Sequence, residues 1–526
     1  MIEDPVTFEV IKNALISVSR EMSIALRRTA FSPNIKERRD CSCALFDSEG
    51  RLVAQSKDIP VHLGAMPMSV KSCMDQIGAD LEEGTMALLN DPYSGGSHLP
   101  DLTLVAPVFA GGERVAFAAN RAHHADVGGI SPGSMPGLST SIHEEGIVIP
   151  PRIIVRDSIL NQDEVDDLLS ETRTPDERLG DLSAQLAANI VGIRRLQDTS
   201  AEHHWDSILR TFDELQSYSA EMMRRSLSNF EGSESTFTDV MESDGAGSWD
   251  IPIILQLKIE GGIVKVDFNG TANQVAGNIN CPIASTLSSV YYVFITLFGQ
   301  DVPVNEGCWS IIDARVPKGS FLNPRYPAAV SAGNVETSQR IVDVTLGALA
   351  PIVPDLVPSA SQGTMNNVTI GGRDPQTGKP FSFYETIGGG AGASKGRHGT
   401  SGIHVHMTNT LNTPIEALET AYPLRVMKYR IRDGSGGFGE WHGGHGIVRE
   451  IEILTDNGVI SIQSERRETR PWGLNGGFPG MSGRNSIIYD GEVHLLQAKT
   501  TFKVPMGAII RIETPGGAGW GFKGKA

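Results

Sequence analysis

Two short segments of the chain carry its strongest chemical signal: Asn90-Asp91-Pro92-Tyr93-Ser94-Gly95-Gly96-Ser97-His98-Leu99-Pro100-Asp101 and Asn120-Arg121-Ala122-His123-His124-Ala125-Asp126. Together they place three histidines and three aspartates within 37 positions. Imidazole and carboxylate are the mixture of ligands that borderline divalent metals bind. The surrounding proline and glycine residues predict exposed turns, where residues that line a cleft commonly lie. Solvated loop histidines beside turn-forming aspartates are the alternative, and spacing alone leaves both interpretations open.

Two predicted β-hairpins explain how these segments meet. Residues 41–46 and 52–54 are apolar runs that flank a polar turn, which is typical of a hairpin. Residues 103–109 and 115–119 form a second hairpin across Gly111-Gly112. The first histidine segment precedes one strand of this second hairpin, and the other histidine segment follows its partner strand. Because the two strands are antiparallel, we expect both segments at one edge of the sheet.

The composition limits the class of protein. The chain has 526 residues, enough for two or three domains, and its hydrophobic content of 40% indicates a globular protein. A net charge of −17 argues against a surface that binds nucleic acid or anionic membranes. No apolar run approaches about 18 residues, so no membrane-spanning helix is expected. The five cysteines are sparse and odd in number, which favours a reduced, cytoplasmic protein with buried thiols.

The fold class that we predict is α+β, with more than one domain. Residues 1–240 form a mixed α/β part that carries the metal-site loops, and 159–230 is its helical segment. Residues 241–526 form a β-rich, glycine-rich part, interrupted by one buried helix over 284–297. At the N-terminus, Asp4-Pro5 is typical of a helix start, and the following apolar spacing predicts a helix that ends before Ser32-Pro33.

A polar stripe marks one face of the predicted helical segment. Asp181, Gln185 and Asn189 recur at every fourth position, so they share one side of a helix. A solvated face is one interpretation of this stripe, and a polar wall of the cleft is the other.

Several common catalytic motifs are absent from the sequence. There is no P-loop, no G-x-S-x-G and no H-E-x-x-H, and the glycines of 388–393 lack the flanking strand and helix of a dinucleotide site. Cys41 and Cys43 lie in an apolar run, where buried structural thiols are expected. His404 and His406 alternate along a predicted strand and would face the same side, as either a metal pair or an interior pair.

The motifs together resemble the hydantoinase B/oxoprolinase family. The resemblance runs the length of the chain and includes, besides the two histidine segments, Arg39-Asp40-Cys41-Ser42-Cys43-Ala44-Leu45-Phe46-Asp47, Asp267-Phe268-Asn269-Gly270-Thr271, Gly277-Asn278-Ile279-Asn280, Gly333-Asn334-Val335-Glu336-Thr337-Ser338-Gln339-Arg340, Tyr384-Glu385-Thr386-Ile387-Gly388-Gly389-Gly390, His404-Val405-His406-Met407-Thr408-Asn409-Thr410 and Ser464-Glu465-Arg466-Arg467. Such an ordered series is specific for the family and not for the substrate.

The resemblance implies a metal centre with named residues. It implies that His98, Asp101 and His123 bind one divalent metal, for which Zn, Mn and Fe all suit the nitrogen and oxygen ligands. Asp40 is the implied fourth ligand or catalytic base. His124 and Asp126 are implied as further catalytic residues that orient the ligands and tune their basicity.

The resemblance also implies a partner and a reaction. The family pairs this type of subunit with a larger hydantoinase A-type ATPase, which holds ATP and Mg, in a heterotetramer or larger complex. The partner phosphorylates the oxygen of a small cyclic amide (a hydantoin, a lactam or 5-oxoproline). A metal-bound water on this chain then attacks the activated carbon, and Asp40 or His124 takes the proton.

Two alternatives remain beside this amidohydrolase. One is a subunit of an ATP-dependent ketone carboxylase, and the other is a non-catalytic scaffold of such a complex. The related carboxylase subunits are longer, so the length of this chain favours the hydrolase branch.

Overall fold

The computed structural model of the protein describes residues 2, 4–56 and 58–522. Over these residues the chain forms nine α-helices: α1 (Pro5–Thr29), α2 (Pro33–Lys36), α3 (Ala65–Ile77), α4 (Gln162–Ser170), α5 (Pro175–His203), α6 (Trp205–Leu227), α7 (Ile283–Phe298), α8 (Ser338–Leu349) and α9 (Ile415–Ala421). None of the helices in this part of the chain has the length and apolar character that a membrane crossing needs.

The first sheet contains both predicted hairpins. Its strands are β1 (Cys41–Asp47), β2 (Leu52–Gln55), β3 (Met86–Leu89), β4 (Asp101–Ala110), β5 (Glu113–His123), β6 (Arg152–Arg156) and β7 (Ile159–Leu160). They are antiparallel throughout and lie in the order β2-β1-β5-β4-β3-β6-β7. The hairpins β1-β2 and β4-β5 therefore lie next to each other, and β1 pairs with β5. Both hairpin predictions are confirmed.

The N-terminal helix covers one face of this sheet. Asp4 caps α1 by accepting hydrogen bonds from two backbone amides of the first turn, and Pro5 occupies the first helical position. The apolar residues of α1 are buried against β1, β2 and α5. The helix ends before Ser32-Pro33, as the sequence predicts.

The second sheet lies beside two buried helices. Its strands are β8 (Glu234–Ser243), β9 (Trp249–Glu260), β10 (Ile263–Asp267) and β11 (Ile312–Arg315), and its only parallel pair among the described strands is β10-β11. Helices α7 and α8 pack on each other, and α8 packs on β8 and β9. The helix α7 confirms the helix predicted over 284–297.

Two further sheets build the C-terminal part. One contains β12 (Asn367–Arg373), β13 (Pro380–Glu385), β16 (Gly458–Gln463) and β19 (Lys499–Val504). The other contains β14 (Leu424–Arg432), β15 (Gly446–Ile453), β17 (Arg484–Tyr489), β18 (Glu492–Leu496) and β20 (Ile509–Glu513). Aliphatic side chains from both sheets form one hydrophobic cluster.

The mixture of helices and mainly antiparallel sheets confirms the α+β class. The predicted boundary at 240/241 lies inside β8, and one hydrophobic cluster includes residues from both sides of it. The division into two domains stays a prediction, as does the cytoplasmic location. All five cysteines are buried and free, in agreement with the expectation of buried thiols.

The polar stripe on α5 is neither solvated nor a wall of the metal cleft. Asp181, Gln185 and Asn189 are fully buried. Gln185 Nε2 donates to the Leu102 carbonyl at 2.9 Å, and Asn189 Nδ2 donates to the Leu104 carbonyl at 3.0 Å. Asp181 accepts hydrogen bonds from two backbone amides just after α1. The stripe therefore attaches α5 to β4 and to the chain that follows α1, because buried polar groups need partners.

The strand predicted around His404 and His406 is wrong. The described chain has no strand at these positions, and His406 has a φ angle of 55°. A positive φ turns the backbone out of an extended conformation, so the two imidazoles do not share a strand face.

Loss of the Gln185 side chain tests the role of the stripe. We expect Gln185→Ala to lower the free energy of unfolding by about 2–4 kcal/mol, because it removes the buried side-chain partner of Asn120 Oδ1, of His124 Nε2 and of the Leu102 carbonyl. Denaturant unfolding measures this change. Gln197→Ala, at an exposed position of the same helix, is the matched control and should change the free energy by less than about 0.5 kcal/mol. Equal effects of the two variants would contradict the assignment.

Candidate metal centre

Three side chains converge at one end of the first sheet. Asp101 is the first residue of β4, His123 is the last residue of β5, and the register pairs them directly. Directly opposed residues of antiparallel strands point to the same face, so the carboxylate and the imidazole meet. His98 lies in the turn before β4, where its carbonyl accepts from the Asp101 amide at 3.0 Å. All three residues are buried. The prediction that the two histidine segments meet at one edge is confirmed.

The distances within this cluster suit one metal ion. His98 Nε2 and His123 Nδ1 lie 3.2 Å apart, and each lies 3.1 Å from Asp101 Oδ1. Metal–nitrogen distances of about 2.0–2.1 Å place tetrahedral ligands about 3.3 Å from each other, close to the edges of this triangle. The other two ring nitrogens, His98 Nδ1 and His123 Nε2, are buried without a hydrogen-bond partner among the described residues. These three residues therefore fit a divalent ion that prefers nitrogen and oxygen.

The Asp101 carboxylate is held by further polar groups. The Ser97 hydroxyl donates to Oδ2, and His62 Nε2 lies 3.4 Å from the same oxygen. Burial by itself would raise the pKa of Asp101. The charge of His98 and the hydrogen bonds from the surrounding histidines outweigh burial and hold this pKa well below its usual value. The carboxylate is therefore ionised and offers a full negative charge to a cation. His62 is a neighbour that the sequence patterns did not single out.

Asp40 lies on the other side of His123. The register pairs Cys41 of β1 with Ala122 of β5, and the His123 amide donates to the Asp40 carbonyl at 3.0 Å. The Asp40 side chain lines the same small cavity as the three ligands, and the Arg38 guanidinium lies 3.9 Å from its Oδ2. Its predicted role as fourth ligand or base stays a prediction, since its oxygens are not part of the converging triangle.

The opposite wall of the cavity comes from the C-terminal half of the chain. The Tyr384 ring stacks on the His123 imidazole, with centroids 4.5 Å apart and planes inclined by 19°. The Arg38 guanidinium lies 4.9 Å from the centre of the same Tyr384 ring and donates to the Tyr384 carbonyl at 2.9 Å. Tyr384 and Arg38 are both buried. Sequence reasoning missed this wall, because no local spacing connects Tyr384 to a histidine more than 250 positions away.

His124 and Asp126 lie outside this cavity. His124 follows His123 and points to the opposite face, where its Nε2 lies 2.9 Å from Gln185 Oε1. Burial, aided by the charge of Arg178, lowers the pKa of His124 to about 4. The Asp126 carboxylate accepts from two backbone amides of the following loop and from the Arg173 guanidinium. The structure therefore does not bring these two predicted catalytic side chains to the cluster, and their contacts support the fold instead.

A buried carboxyl reaches the cavity through two intermediaries. Glu336 lies in the π-helical turn Gly333–Thr337, and its Oε1 accepts from the Met365 amide and from Asn367 Nδ2. Asn367 Oδ1 in turn accepts from the Tyr384 hydroxyl at 2.9 Å. Glu336 is fully buried, and burial raises its pKa to about 7. A hydrogen-bonded chain therefore links Glu336 to the ring that stacks on His123.

Comparison with known proteins identifies the family. Residues 4–523 match the family described as hydantoinase B/oxoprolinase. The chain belongs to this family. The predicted resemblance is confirmed over nearly the whole sequence.

Two named relatives show how family members are organised. The 5-oxoprolinase 1 of Arabidopsis thaliana is 39% identical over 99% of this chain, which spans 42% of that protein. A putative subunit of a D-/L-hydantoinase from a Pseudomonas species is 30% identical over 98% of this chain and 90% of that protein. The chain thus spans about two fifths of the oxoprolinase and nearly all of a separate hydantoinase subunit.

Solved structures share the fold. The ATP-dependent caprolactamase from Pseudomonas jessenii has a TM-score of 0.91 and 27% identity over 99% of this chain and 92% of its own. The nucleotide-free acetone carboxylase has a TM-score of 0.90 over 99% of this chain and 76% of its own, and its 18% identity shows a common fold alone.

Removal of one imidazole tests the metal centre. We expect His123→Ala to reduce metal affinity by more than about 100-fold, since even neighbours that only support a ligand commonly contribute 10- to 100-fold. Purified wild-type protein should carry close to one ion per chain, measured by mass spectrometry of the elements. The circular dichroism spectrum should stay unchanged, because the ligands lie at the edge of a large core. His494→Ala, at an exposed histidine, is the control. Equal metal contents of the two variants would exclude His123 as a ligand.

The pKa of Glu336 predicts a pH dependence of stability. Its native pKa of about 7 lies above the usual value of 4.5, so the folded state holds the proton more tightly than the unfolded state. Stability from this group is therefore complete at low pH and falls as the pH rises from about 4.5 to 7, by about 2–3 kcal/mol between pH 5 and pH 8.

The matched variant is Glu336→Gln, which has nearly the same shape and no titration. Denaturant unfolding at pH 5 and pH 8 should show a smaller loss of stability for Glu336→Gln than for the wild type. An unchanged pH dependence would show that Glu336 titrates normally. The charges of Glu465, Lys499 and Arg467 also shift the pKa of Glu336. These three residues are therefore left unchanged, and only Glu336 is substituted.

Proposed function

We propose that this chain is the metal-containing subunit of an ATP-dependent enzyme that opens cyclic amides. The observation that carries the proposal is the buried triangle of His98 Nε2, His123 Nδ1 and Asp101 Oδ1, with edges of 3.1–3.2 Å. The likeness to a caprolactamase over 99% of the chain and to oxoprolinase and hydantoinase sequences supports a cyclic amide as substrate. Hydantoins, lactams and 5-oxoproline are the candidate rings.

The residues of this chain have distinct roles in the proposal. His98 and His123 hold a zinc, manganese or iron ion through ring nitrogens, and Asp101 adds an anionic oxygen. Such an ion, when bound, polarises water and lowers its pKa. The Asp40 carboxylate lines the same cavity and accepts the proton that the attacking water loses. The buried Tyr384 and Arg38 exclude bulk water from the cavity on the side of His123.

The size of the cavity bears on how a ring enters. The space beside the three ligands has a volume of about 20 Å³, which suits one ion or one water molecule. A cyclic amide needs more room, so the walls must separate before the ring can approach. Movement on contact with a partner would explain an enzyme that acts only as a complex.

The proposed partner is a larger hydantoinase A-type ATPase that holds ATP and Mg. The absence of a P-loop from this sequence, and the description of the Pseudomonas relative as one subunit of a hydantoinase, support a separate nucleotide-binding chain. The partner transfers the γ-phosphoryl group of ATP to the amide oxygen and releases ADP. Water then adds to the activated carbon, the ring C–N bond breaks, and hydrolysis of the resulting acyl phosphate releases phosphate. A heterotetramer or a larger complex is the proposed assembly.

An Asp40 variant tests, in the reconstituted complex, whether the partner phosphorylates the substrate while this chain opens the ring. Asp40→Asn keeps the shape of the side chain and removes its basicity. We expect ring opening to fall by about 100-fold or more, because a positioned base contributes roughly 10²–10⁴-fold. ATP cleavage should persist in part, because phosphorylation belongs to the partner. ADP formation in a single turnover, which reports the partner's step, and ring-opened product are measured side by side on a panel of hydantoins, lactams and 5-oxoproline.

Controls separate this proposal from its alternatives. Glu49→Gln, at an exposed position after β1, should leave both rates unchanged. The isolated chain should open no ring without the partner and ATP. A ketone carboxylase would instead fix bicarbonate onto a ketone, and a scaffold would lose no product formation in Asp40→Asn or His123→Ala. Equal losses of single-turnover ADP formation and product in Asp40→Asn would show that the two steps are not separated as proposed.

A further inference from the structure

A large cavity lies away from the candidate metal centre. Its volume is about 640 Å³, within the range of small-molecule sites. It lies where the loop between β8 and β9 meets the strands β14, β17, β18 and β19. It shares no lining residue with the cavity of the three metal ligands. Basic side chains form one part of its wall, although the whole chain has a net charge of −17.

Arg467 is the central cation of this cavity. Its guanidinium donates to Asn485 Oδ1, to Asn366 Oδ1 and to the Glu465 carbonyl, all of which are neutral acceptors. No carboxylate among the described residues forms an ion pair with it. Burial lowers the pKa of Arg467 to about 10, because nearby carboxylates such as Glu336 offset only part of the cost of burying the charge. The amide acceptors fix the orientation of the guanidinium and leave its charge without a counterion.

Two more arginines face the same space. Arg484 begins β17, is exposed and forms no ion pair within the described residues. Arg432 ends β14, donates to two backbone carbonyls, and lies 3.7 Å from a carboxylate oxygen of Glu513. Burial lowers the pKa of Arg432, and the charge of Arg484 lowers it further. The arginines therefore repel one another across the cavity, which a bound anion would relieve.

Two of the other charged groups of the wall are already paired, and a third, the carboxylate of Glu468, is exposed at the cavity. Lys499 Nζ lies 2.6 Å from Glu465 Oε1 and forms a buried ion pair. The Glu242 carboxylate accepts three backbone amide hydrogen bonds, from residues 467, 468 and 469. The positive charge at the open space is therefore that of the three arginines, and it exceeds the single negative charge of Glu468.

Apolar side chains also line the cavity. Trp249 is 59% exposed, and Leu495 is 65% exposed, although both line the cavity. Met481 is a third such side chain and is also exposed. Large apolar side chains that remain exposed beside a concave site are typical of a place where the non-polar part of a ligand packs.

We propose that this cavity binds a small organic anion whose carboxylate or phosphate group pairs with Arg467 and Arg484 and whose apolar body packs on Trp249. The guanidinium of Arg484 is free to bind either kind of oxyanion through paired hydrogen bonds, and Arg467 adds its charge and its one remaining N–H group, so the shared chemistry is an oxyanion attached to an apolar body. The indole adds affinity for an unsaturated ring.

Calorimetric titration of the full chain tests this site with phenyl phosphate and benzoate as probes. Benzamide is the neutral analogue, and inorganic phosphate lacks the apolar body. We expect at least one of the two anionic aromatic probes to bind, with the better probe identifying phosphate or carboxylate as the preferred group. Benzamide and inorganic phosphate should each bind about tenfold or more weakly than that probe. Affinity should also fall as salt is raised.

Matched arginine variants locate the binding. Arg484→Gln removes an exposed, unpaired charge and should leave the fold intact while weakening the better probe about tenfold or more. Arg430→Gln, an exposed arginine of β14 outside the cavity, should leave binding unchanged. Trp249→Ala should weaken the aromatic probes and leave inorganic phosphate unaffected.

Three results would overturn the proposal. The first is no binding of either anionic aromatic probe at millimolar concentration. The second is equal binding in Arg484→Gln and Arg430→Gln, which would place the probe elsewhere. The third is equal affinity for benzamide and the anionic probes, which would show that the arginines do not select the ligand. None of these measurements depends on the partner or on ring opening, so the outcome is independent of the proposed enzyme activity.

Discussion

The register between β4 and β5 is the constraint on which the candidate metal centre depends. It sets Asp101 directly opposite His123, and the short turn before β4 brings His98 to the same point. A slip of one residue would move either side chain to the other face of the sheet and separate the ligands. The neighbouring register of β1 and β5 places Asp40 on the far side of His123. Three adjacent strands thus present their polar ends together because every pairing is antiparallel.

The same alternation of faces explains why neighbouring histidines have different surroundings. His123 faces the metal cavity, and His124 faces α5, where Gln185 and Asn189 satisfy the buried polar groups. At this end the sheet therefore has buried polar side chains on both faces, and those on each face need hydrogen-bond partners. Hydrogen bonds between α5 and the backbone of β4 hold the strand from behind, and a strand held in this way keeps its first residue, Asp101, in place.

Short-range patterns in the sequence predict much of this arrangement. Within a few dozen residues, apolar and polar side chains alternate along the strands, and Gly and Pro mark the turns. These two patterns predict the two hairpins and the meeting of the histidine segments. The stacking of Tyr384 on His123 could not be predicted in that way, because it depends on how the C-terminal sheets pack against the first sheet. The stripe from Asp181 to Asn189 is ambiguous for the same reason, since a polar helix face has the same spacing whether it meets water or another buried polar layer. Around His404, a positive φ at His406 breaks an alternation that is typical of a strand.

The two cavities have separate walls, yet consecutive residues of one segment contact both. Asn366 accepts a hydrogen bond from Arg467 in the basic cavity, and Asn367 accepts one from the hydroxyl of Tyr384 beside the metal cavity. Asn366 has a φ angle of 52°, a left-handed conformation that asparagine adopts more readily than most other residues. Because Tyr384 stacks on His123, a continuous series of contacts runs from Arg467 through Asn366, Asn367 and Tyr384 to one imidazole of the candidate metal centre.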